Sequence, residues 1–572
     1  MTVKISELPA AGTLTGAELV PLVIGGVTSQ STPAAWPYKS SVSGSTTRTA
    51  YSKAGEVLSV KDFGATGDGV TDDATAIQAA ITAAIALNAP VELFFPYGTY
   101  LISTVITCDP TLQASSKVML RGTGPYTSVI KAKTGFTSTK MLHMGAAGTV
   151  TRMEGSGICD LGFNGNSLPA ASGNAGVYIY NAYRCVFLNL AVDNFAGGGD
   201  GLASYGNVAG VAGDPCNQGN VFTNIYTRGC GGAGQYYRGE KSSMFDQLQS
   251  DANTVQGVFF DSESITAGST ETTECVIGSI LVKNNTGAGV AFSGIAKYSI
   301  ANIEAYINGS VGVLFSDTRS GTTVGNFYSS IGTIVSRNNA GALANATGTN
   351  GNYCQGVYIG SVVHVGGKGL GVSETEAAAV VIAGWSACTI GIINSQLNIG
   401  TCIRVLDQTG ARASSTITFD TVMLISNGST NATTNHGISL EDNSALITIN
   451  KLHSANSYTT AAKSSYELKT SAATTAVINN MYVYAGQAGQ EVSIGNQSLV
   501  SFGNTSSIRG LAAERKITGL AAASTITAYG SYANEFWDNS SAVRKYTRMG
   551  DSTLRVVSGE SSTFTPSITF AT

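Results

Sequence analysis

The sequence predicts an all-β solenoid, in which many short strands follow one another along a single coil. Charged residues make up 12% of the 572 residues, against roughly 25% in an average globular protein, whereas glycine alone supplies 69 residues. Long helices and coiled coils need the missing charges, while frequent tight turns need glycine. The second observation is a repeat, with steps of 23 residues from Ile225 to Leu248 and from Ile280 to Ile303. Together they favour one long stack of strands.

The repeat consists of two apolar residues separated by two others, with a polar residue directly before the second. Its apolar pairs are Phe187 and Leu190, Phe222 and Ile225, Phe245 and Leu248, Ile277 and Ile280, and Ile300 and Ile303. The preceding polar residues, expected to stack as a ladder, are Asn189, Asn224, Gln247, Ser279 and Asn302. Further lines of the repeat are predicted at Ile331, Ile392, Val422 and Leu452. Because such a repeat buries its apolar face only against its neighbours, we expect one continuous solenoid.

A second strand is predicted about ten residues later in each repeat, where side chains alternate between the two faces of a strand. The pairs expected to face inward are Gln235 and Tyr237, Val258 and Phe260, Val290 and Phe292, and Val313 and Phe315. The residues that alternate with them are therefore expected to face outward.

One helix is predicted near the N-terminal end of the solenoid. Thr71, Asp72 and Asp73 follow a glycine-rich turn and are typical of a helix start. Apolar residues then recur at helical spacing at Ile77, Ala80, Ile81, Ala84 and Ile85. This apolar face has to cover another part of the fold, and a β-type run follows it at 93–102.

These segments resemble the entry to the pectate-lyase-like right-handed β-helix superfamily. The resemblance rests on VKDFGATGDGVTDD at 60–73, on the helix that follows, and on FFPYGTYLI at 94–102. It implies a right-handed parallel β-helix with the helix as a cap over the open end of the coil. The motif says little about chemistry.

The N-terminal residues carry a second resemblance. KISELPAAGTLTGAELVPLVIGGVTSQST at 4–32 is similar to the N-terminal virion-attachment modules of bacteriophage tail fibres and tailspikes. This likeness implies a virion tail protein that forms a parallel homotrimer closed by a small C-terminal β domain. We therefore predict a virion-attachment module and linker over 1–52, the β-helix over 53–495, and a C-terminal β domain for trimerisation or carbohydrate binding over 496–572.

Composition argues against several other classes of protein. A net charge of −4, without a cluster of Lys and Arg, argues against a nucleic-acid partner. The most apolar stretch, around 74–95, is interrupted by polar residues, and the N-terminus has no apolar run typical of a signal peptide. We therefore expect no membrane insertion. Nine cysteines lie far apart and four histidines are scattered, so we expect buried, reduced thiols, no metal site and no other cofactor.

The repeat register selects outward residues on two adjacent coils that suit sugar chemistry. The residues predicted to face outward are Tyr236, Arg238 and Glu240 on one coil, and Phe259, Asp261 and Glu263 on the next. Because adjacent strands lie about 4.8 Å apart, the two triplets are expected to form one surface patch. Asp251, and Asp200 within GGGDG at 197–201, are further candidates.

This patch combines the groups that glycosidic hydrolysis uses. One carboxylate protonates the leaving oxygen and a second one activates water or attacks the sugar. The candidates for these roles are Asp261, Glu263, Glu240 and Asp251. Tyr236 and Phe259 would offer apolar faces to sugar rings, and Arg238 would bind the carboxylate of an acidic sugar as a two-donor fork.

Three functions stay open at this point. The leading hypothesis is a tailspike that binds a bacterial surface polysaccharide, capsule or O-antigen, and depolymerises it by hydrolysis. The second is a lyase that acts by β-elimination at a uronic acid, with a basic residue or a tyrosine as the base. The third is a non-catalytic adhesin. The structural alternative for the patch itself is that its outward carboxylates are ordinary solvated residues, and that Arg238, between Glu240 and Asp261, forms a surface ion pair worth under about 1 kcal/mol.

Overall fold

The computed structural model shows parallel strands wound into a right-handed coil. It describes residues 57–485 with internal gaps, together with short pieces on either side. The gaps are 137, 147–150, 167–174, 196, 198, 207–216, 262–273, 317–325, 346–353, 367–377, 398–400, 407–414, 426–436, 443–444, 456–467 and 472. The short pieces are 20–24, 27–31, 37–49, 52–53, 492–493, 500–502, 505–510, 517–518, 535–538, 545–550 and 553–558.

The longest sheet, sheet A, has 20 strands within these described residues. They are Leu58–Ser59, Asp68–Asp72, Pro90–Phe94, Gly98–Ile102, Lys117–Arg121, Ser128–Ala132, Gly157–Asn164, Val186–Asp193, Val221–Arg228, Met244–Asp251, Val276–Lys283, Ser299–Tyr306, Ser330–Arg337, Tyr358–Val365, Cys388–Gln396, Thr416–Ile425, Leu446–Ala455, Thr475–Ala485, Val500–Phe502 and Thr505–Gly510. From Gly157–Asn164 to Thr475–Ala485, each strand pairs in parallel with the next in the list.

Sheet B forms a second wall of the coil, with 15 strands in the described part of the chain. They are Ile106–Cys108, Leu142–Met144, Ala175–Tyr180, Asp200–Tyr205, Gln235–Arg238, Val258–Asp261, Val290–Ser293, Val311–Ser316, Gly341–Asn345, Ala378–Ala383, Thr401–Leu406, Ile438–Leu440, Leu468–Thr470, Val492–Ser493 and Ile517–Thr518. A coil therefore runs from a sheet A strand to the following sheet B strand.

Two-residue strands, here called sheet C, lie at the corner where some coils return from sheet B to sheet A. One group is Met153–Glu154, Ala182–Tyr183, Asn217–Gln218 and Glu240–Lys241, and the other is Asn326–Phe327, Cys354–Gln355 and Trp385–Ser386. Other coils make this return without a described sheet C strand. The corner is therefore the variable part of the repeat.

The predicted helix spans Ala74–Ala86 and buries its apolar face against the first strands of the coil. Asp73 does not bind the helix end through its side chain, because its carboxylate accepts hydrogen bonds from the backbone N–H groups of Thr66 and Gly67. The role of this helix as a cap stays a prediction. Among the described residues, Val60–Phe63 and Pro110–Leu112 form short 3-10 helices. In the described ranges no helix is both long and apolar enough to cross a membrane.

The strand register confirms the predicted repeat. Phe187 pairs with Phe222, and Phe222 pairs with Phe245, while Leu190, Ile225 and Leu248 align in the same way. The later pairs continue this alignment through Ile277, Ile280, Ile300 and Ile303. All these apolar side chains are buried. One coil therefore places each of its apolar residues directly above the equivalent residue of the coil before it.

Aromatic rings stack inside the coil as a result of this alignment. The ring centroids of Phe187 and Phe222 lie 4.7 Å apart, and those of Phe222 and Phe245 lie 5.2 Å apart. On sheet B, the inward rings of Tyr237, Phe260, Phe292 and Phe315 follow one another at 5.2 to 5.6 Å. Offset aromatic stacking adds about 0.5–1.5 kcal/mol per pair beyond the area that is buried. The predicted inward residues of sheet B are therefore confirmed.

In one of the later repeats, the inward-facing residue was predicted one position too early in the sequence. The buried residue of that coil is Ile393, which pairs with Val422, whereas Ile392 is 45% exposed and pairs with Thr421 at the polar ladder position. Two isoleucines stand side by side here, so apolarity alone does not distinguish the inward residue from the outward one. The lines at Ile331, Val422 and Leu452 are buried as predicted.

The predicted polar ladder on sheet A is confirmed at its first step only, and an amide ladder lies inside the coil. On sheet A, Asn224 donates to Asn189 at 2.7 Å through their side chains. Inside the coil, between sheets A and B, the amides of Asn253, Asn285, Asn308 and Asn339 form a continuous chain with hydrogen bonds of 2.9, 2.8 and 3.0 Å. All four of these asparagines are buried. Each amide satisfies a neighbour that has no access to water.

The eight cysteines of the described residues are thiols, and all except the half-buried Cys159 are buried. This matches the prediction of reduced, buried thiols. Outside the coil, Val20–Ile24 pairs with Val27–Ser31 and Pro37–Tyr38 pairs with Arg48–Thr49, both antiparallel. The antiparallel strands Glu535–Asp538, Lys545–Gly550 and Thr553–Ser558 lie within the predicted C-terminal region. The domain boundaries at 52 and 495 stay predictions.

Replacing Asn285 with Ala should destabilise the coil, because the buried amides of Asn253 and Asn308 lose their common partner. Leaving a buried polar group unpaired costs about 1–3 kcal/mol, so we expect a clearly lower midpoint of thermal unfolding by circular dichroism. The matched control is Asn450→Ala, which removes an amide that donates to the exposed Asp420 on the outer side of sheet A. Equal midpoints for the two variants would contradict the structural role of the internal ladder.

Candidate functional site

The outer face of sheet B carries a group of aromatic rings that we call the aromatic patch: Tyr178, Tyr180, Tyr205, Tyr236 and Phe259. Strand pairing aligns Tyr178 with Ala203, Ala203 with Tyr236 and Tyr236 with Phe259. In the next outward row, Tyr180, Tyr205, Arg238 and Asp261 align on four successive coils. The patch is therefore built from two outward rows of one sheet.

The rings of the aromatic patch contact one another across the coils. Tyr178 and Tyr205 stack with their centroids 4.7 Å apart, and Tyr205 meets Tyr236 edge-on at 5.1 Å. Tyr236 and Phe259 are also 5.1 Å apart. The hydroxyls of Tyr178 and Tyr180 form a short hydrogen bond. The result is a continuous aromatic surface that extends over several coils.

Two nitrogen groups lie at one end of the aromatic patch. The Nζ atom of Lys140 lies 3.9 Å from the ring centroid of Tyr178, a cation–π contact. Burial lowers the pKa of Lys140, because desolvation disfavours the charged ammonium. Burial and the charge of Lys140 also lower the pKa of His143, whose ring is 5.5 Å from that of Tyr180. Burial is therefore the first cause of both pKa shifts.

A carboxylate and a guanidinium lie at the other end of the aromatic patch. The hydroxyl of Tyr236 donates to Oδ2 of Asp261 at 2.7 Å. Burial first, and then the charge of Asp261, raise the pKa of Tyr236. Arg238 pairs with Asp261 in the strand register, and its Nε atom is buried without a hydrogen-bond partner among the described residues. This end of the aromatic patch therefore places the carboxylate of Asp261, an acceptor, beside the guanidinium of Arg238, whose Nε donor has no partner among the described residues.

The structure brings together four residues of the predicted patch, namely Tyr236, Arg238, Phe259 and Asp261. Asp261 is only 7% exposed, and the other three are half-buried, so the surface is less open than a solvated row on a solenoid. Glu263 lies outside the described residues. Tyr178, Tyr180, Tyr205, Lys140 and His143 were not predicted as part of the site. The same register, followed two coils towards the N-terminus, would have identified the three tyrosines.

The prediction that Glu240 faces outward is wrong. Its side chain is fully buried. One carboxylate oxygen accepts hydrogen bonds from Ser204 and Asn217, and the other accepts from Ser243 and Asn220, over 2.7 to 3.2 Å. Burial raises the pKa of Glu240, and these four hydrogen bonds oppose that effect. This carboxylate has no path to a substrate.

The cause of this error is the corner between sheets B and C. Gly239 has a φ of 70°, a left-handed conformation that glycine adopts at no steric cost. The chain turns there, so the alternation of Gln235–Arg238 does not continue into Glu240–Lys241. The side chain of Glu240 consequently points into the corner, where it joins two successive coils.

The two remaining carboxylate candidates lie on different sheets. Asp251 is the last residue of a sheet A strand and forms an ion pair with Lys283 at 3.5 Å. Asp200 is half-buried at the start of its sheet B strand, where Oδ1 accepts a hydrogen bond from the backbone N–H of Ala233 at 2.8 Å. Burial raises the pKa of Asp200 to about 6. Across the described ranges, no three His, Cys, Asp or Glu residues are arranged to hold a metal ion.

Residues 57–155 match the sequence profile of a family described as rhamnogalacturonase A/epimerase, pectate lyase-like. This span contains the helix and the motif at 60–73 that carry the resemblance in the sequence. The pectate-lyase-like character of the first part of the coil is therefore confirmed.

Two curated relatives match over short segments. The tail spike protein of Shigella phage Sf6 is 39% identical over 90 residues, which are 16% of this chain and 14% of the relative. Mannuronan C5-epimerase AlgE1 of Azotobacter vinelandii is 41% identical over 108 residues, which are 19% of this chain and 8% of the relative. The matches thus span less than a fifth of the length of either relative.

A solved structure is similar over most of the coil. The A-module of mannuronan C-5 epimerase AlgE6 from Azotobacter vinelandii superposes with a TM-score of 0.51 at 20% identity, covering 70% of this chain and 100% of that one. At this identity the likeness shows the fold alone. That fold is the right-handed β-helix predicted from the sequence.

Replacing Glu240 with Ala should strongly destabilise the protein, because four buried donors lose their acceptor. Each unpaired group costs about 1–3 kcal/mol, so we expect a large drop in the thermal unfolding midpoint. The matched control is Glu274→Ala, whose side chain is 50% exposed in an ion pair with Lys297 and is expected to contribute under about 1 kcal/mol. A midpoint as high as that of the control would contradict the buried placement of Glu240.

The raised pKa of Asp200 predicts a pH dependence of stability. Since the folded pKa is about 6 and the unfolded value is about 3.9, the folded state binds the proton more tightly. Its stabilising contribution is complete below about pH 4 and is lost as the pH rises through about 6. Asp200→Asn keeps an oxygen for Ala233 and removes the charge, so the variant should lose this pH dependence.

The measurement is the thermal unfolding midpoint at several pH values between about 3 and 8, a range that brackets both pKa values. Asp420→Asn, at an exposed carboxylate on sheet A, is the control. Identical pH profiles for wild type and Asp200→Asn would contradict the prediction.

Proposed function

We propose that the chain is a tailspike of a bacteriophage virion tail that binds a bacterial surface polysaccharide and cuts it by glycosidic hydrolysis. The pectate-lyase-like match and the similarity to the tail spike of Shigella phage Sf6 support this class of function. The observation that carries the proposal is the aromatic patch, with Asp261 and Arg238 at its end. The residues over 1–52 would attach the chain to the virion, and three copies would form a homotrimer.

The aromatic patch has the chemistry of a sugar-binding surface. Pyranose rings present an apolar face that packs on aromatic side chains, and Tyr236 and Phe259 are half-buried rings on adjacent coils. The buried Nε of Arg238 has no hydrogen-bond partner among the described residues, and a guanidinium binds a carboxylate through two parallel hydrogen bonds. A polysaccharide that contains an acidic sugar would satisfy both features.

Asp261 is the carboxylate that the aromatic patch offers to the reaction. Hydrolysis at a glycosidic bond uses a general acid and a second carboxylate that activates water or attacks the sugar. Asp261 lies next to both the sugar-binding rings and Arg238, and Tyr236 orients it by donating to Oδ2 at 2.7 Å. The sequence prediction that Glu263 supplies the second carboxylate stays a prediction.

A second candidate function is β-elimination at a uronic acid. Lys140 favours it, because its amine lies at one end of the aromatic patch, and burial lowers its pKa, which makes a lysine better suited to act as a base. Arg238 would neutralise the uronate carboxylate. The two reactions differ in their products: elimination leaves an unsaturated uronate that absorbs ultraviolet light, and hydrolysis leaves a saturated sugar.

Asp261→Asn should lower the rate of depolymerisation by a factor on the order of 10² to 10⁴, because it removes a group that exchanges protons or charge with the reacting sugar. The assay follows new reducing ends and ultraviolet absorbance during digestion of purified capsule or O-antigen, with the size of the polysaccharide as a third readout. Asp420→Asn is the matched control and should retain the wild-type rate.

Three outcomes separate the hypotheses. New reducing ends without ultraviolet absorbance support hydrolysis, while strong absorbance that is lost in Lys140→Met supports elimination. Binding of the polysaccharide without any cleavage contradicts both reactions and favours the adhesin. A wild-type rate in Asp261→Asn contradicts the assignment of Asp261 and leaves the fold unaffected.

A further inference from the structure

A group of positively charged residues lies at the corner that sheet C forms. We call this group the basic corner: Lys117, Arg152, Arg184 and Lys241. Strand pairing in sheet C aligns one residue from each of four successive coils, namely Glu154, Tyr183, Gln218 and Lys241. Arg152 directly precedes the strand Met153–Glu154, and Arg184 directly follows Ala182–Tyr183. These cations are far apart in the sequence, so the winding of the coil is what brings them together.

Tyr183 contacts both guanidiniums of the basic corner. Cζ of Arg152 lies 4.9 Å from the centroid of the Tyr183 ring, and Cζ of Arg184 lies 4.8 Å from the same centroid. Both are cation–π contacts. The two guanidinium carbons are therefore at most 9.7 Å apart, the sum of these two distances. Two like charges thus lie within about 10 Å, the screening length in 0.1 M salt.

The long side chains of the basic corner lie along the surface of the coil. Gly155 and Gly219 have φ angles of 60° and 65°. A Cβ atom at Gly155 would lie 3.1 Å from Cδ of Lys117, and one at Gly219 would lie 3.5 Å from Cγ of Arg184. The cationic side chains therefore occupy the space that a larger residue would fill at these two turns.

The charges of the basic corner are not balanced by carboxylates. None of its four cations forms an ion pair with another residue in the described part of the chain. Glu154 lies in the same row of sheet C and is exposed, yet it pairs with none of them. Glu274, beyond the corner, is already paired with Lys297 at 3.4 Å. The basic corner therefore carries an excess of positive charge, although the chain as a whole has a net charge of −4.

The basic corner borders the aromatic patch. Tyr180 ends the sheet B strand Ala175–Tyr180, and Tyr183 follows three residues later. Two coils further on, Arg238 ends its strand and Lys241 follows at the same interval. Three residues of extended chain span about 10 Å. A polymer that is bound on the aromatic patch therefore reaches the basic corner without leaving the protein surface.

We propose that the basic corner is an accessory binding surface for the acidic units of the polysaccharide, whose carboxylate groups it holds. This inference rests on the proposed function, since it takes the polysaccharide of the aromatic patch as its ligand. A guanidinium binds a carboxylate through two parallel hydrogen bonds, and Arg152 and Arg184 both offer this fork. An anion placed near both guanidiniums also offsets their mutual repulsion. The basic corner takes no part in the cleavage of a bond.

An accessory surface of this kind has a recognisable effect on kinetics. Once the aromatic patch holds the polymer, the neighbouring sugar units are at a high local concentration beside the basic corner. Loss of the corner charges should therefore raise both Kd and KM for the long polymer and leave kcat unchanged. An oligosaccharide too short to extend beyond the aromatic patch should be bound as before. Residues that only supported the fold would affect both ligands.

The test measures Kd, KM and kcat of the full-length chain with purified capsule or O-antigen, using a double variant with Arg152→Gln and Arg184→Gln. A solvent-exposed charge pair contributes about two- to fivefold in affinity, so we expect Kd to rise roughly tenfold when both charges are removed. The matched control is a double variant with Arg228→Gln and Arg337→Gln, two exposed arginines on sheet A, and should keep the wild-type Kd. Arg337 likewise lies over a tyrosine ring, 5.9 Å from the centroid of Tyr306.

A second probe is the same polysaccharide after chemical reduction of its carboxyl groups to alcohols. The double variant at the basic corner should bind this neutral polymer as the wild type does, because no carboxylate remains for the arginines. The wild type should bind it more weakly than the native polymer. Increasing salt should reduce the difference in Kd between the wild type and the double variant for the native polymer.

The outcomes separate this inference from the proposed function. A raised Kd for the native polymer alone, with unchanged kcat and thermal midpoint, supports the basic corner. If the chain binds with this dependence on the two arginines but cuts nothing, hydrolysis is contradicted and the basic corner is supported. Equal Kd values for the double variant and its control overturn the inference and leave the aromatic patch unaffected. Arginine-dependent binding of phosphatidylglycerol vesicles, with an unchanged Kd for the polysaccharide, also overturns it, because the anion would then be a lipid phosphate.

Discussion

Hydrogen bonding between parallel strands of successive coils is the constraint on which the rest of this structure depends. Each strand exchanges backbone hydrogen bonds with the equivalent strands of the coils above and below it, so the register of one strand fixes the next. A side chain therefore has the same direction and similar burial as the side chain at the equivalent position one coil earlier, and the two are in contact. The stacked rings of the core and the outward rows of both sheets are two results of this one rule.

The sequence predicted the parts of the fold that the register controls. The anchors from Phe187 to Ile303 occupy their predicted pairs, because their spacing repeats and their apolarity is unambiguous. Errors arose where a local feature breaks the repeat. The left-handed turn at Gly239 directs Glu240 into the interior. At Ile393, the adjacent Ile392 is equally apolar, so the sequence does not distinguish the inward residue from the outward one. Backbone conformation at single residues is decided by contacts between coils, which one sequence does not display.

The two outward surfaces illustrate different ways in which a solenoid presents chemistry. On sheet B, Asp261 is 7% exposed and accepts a hydrogen bond from the hydroxyl of Tyr236 within the aromatic patch. On sheet A, charges of alternating sign remain near solvent, and their spacing follows directly from the strand interval. Electrostatic interactions are stronger where water is excluded. Dissolved salt is therefore expected to weaken the interactions between the charges on sheet A more than those around Asp261.

The internal asparagine ladder has a consequence for how such a coil changes over generations. Its amides all point the same way, each donating to the next coil from Asn253 through Asn339. A coil gained by duplication keeps this line intact only if it brings an asparagine at that position, and a coil lost by deletion must leave two asparagines in contact. Lengthening or shortening the protein is therefore permitted in whole turns. The ladder therefore restricts insertions and deletions to whole coils, while the loops at the corners are free to vary in length.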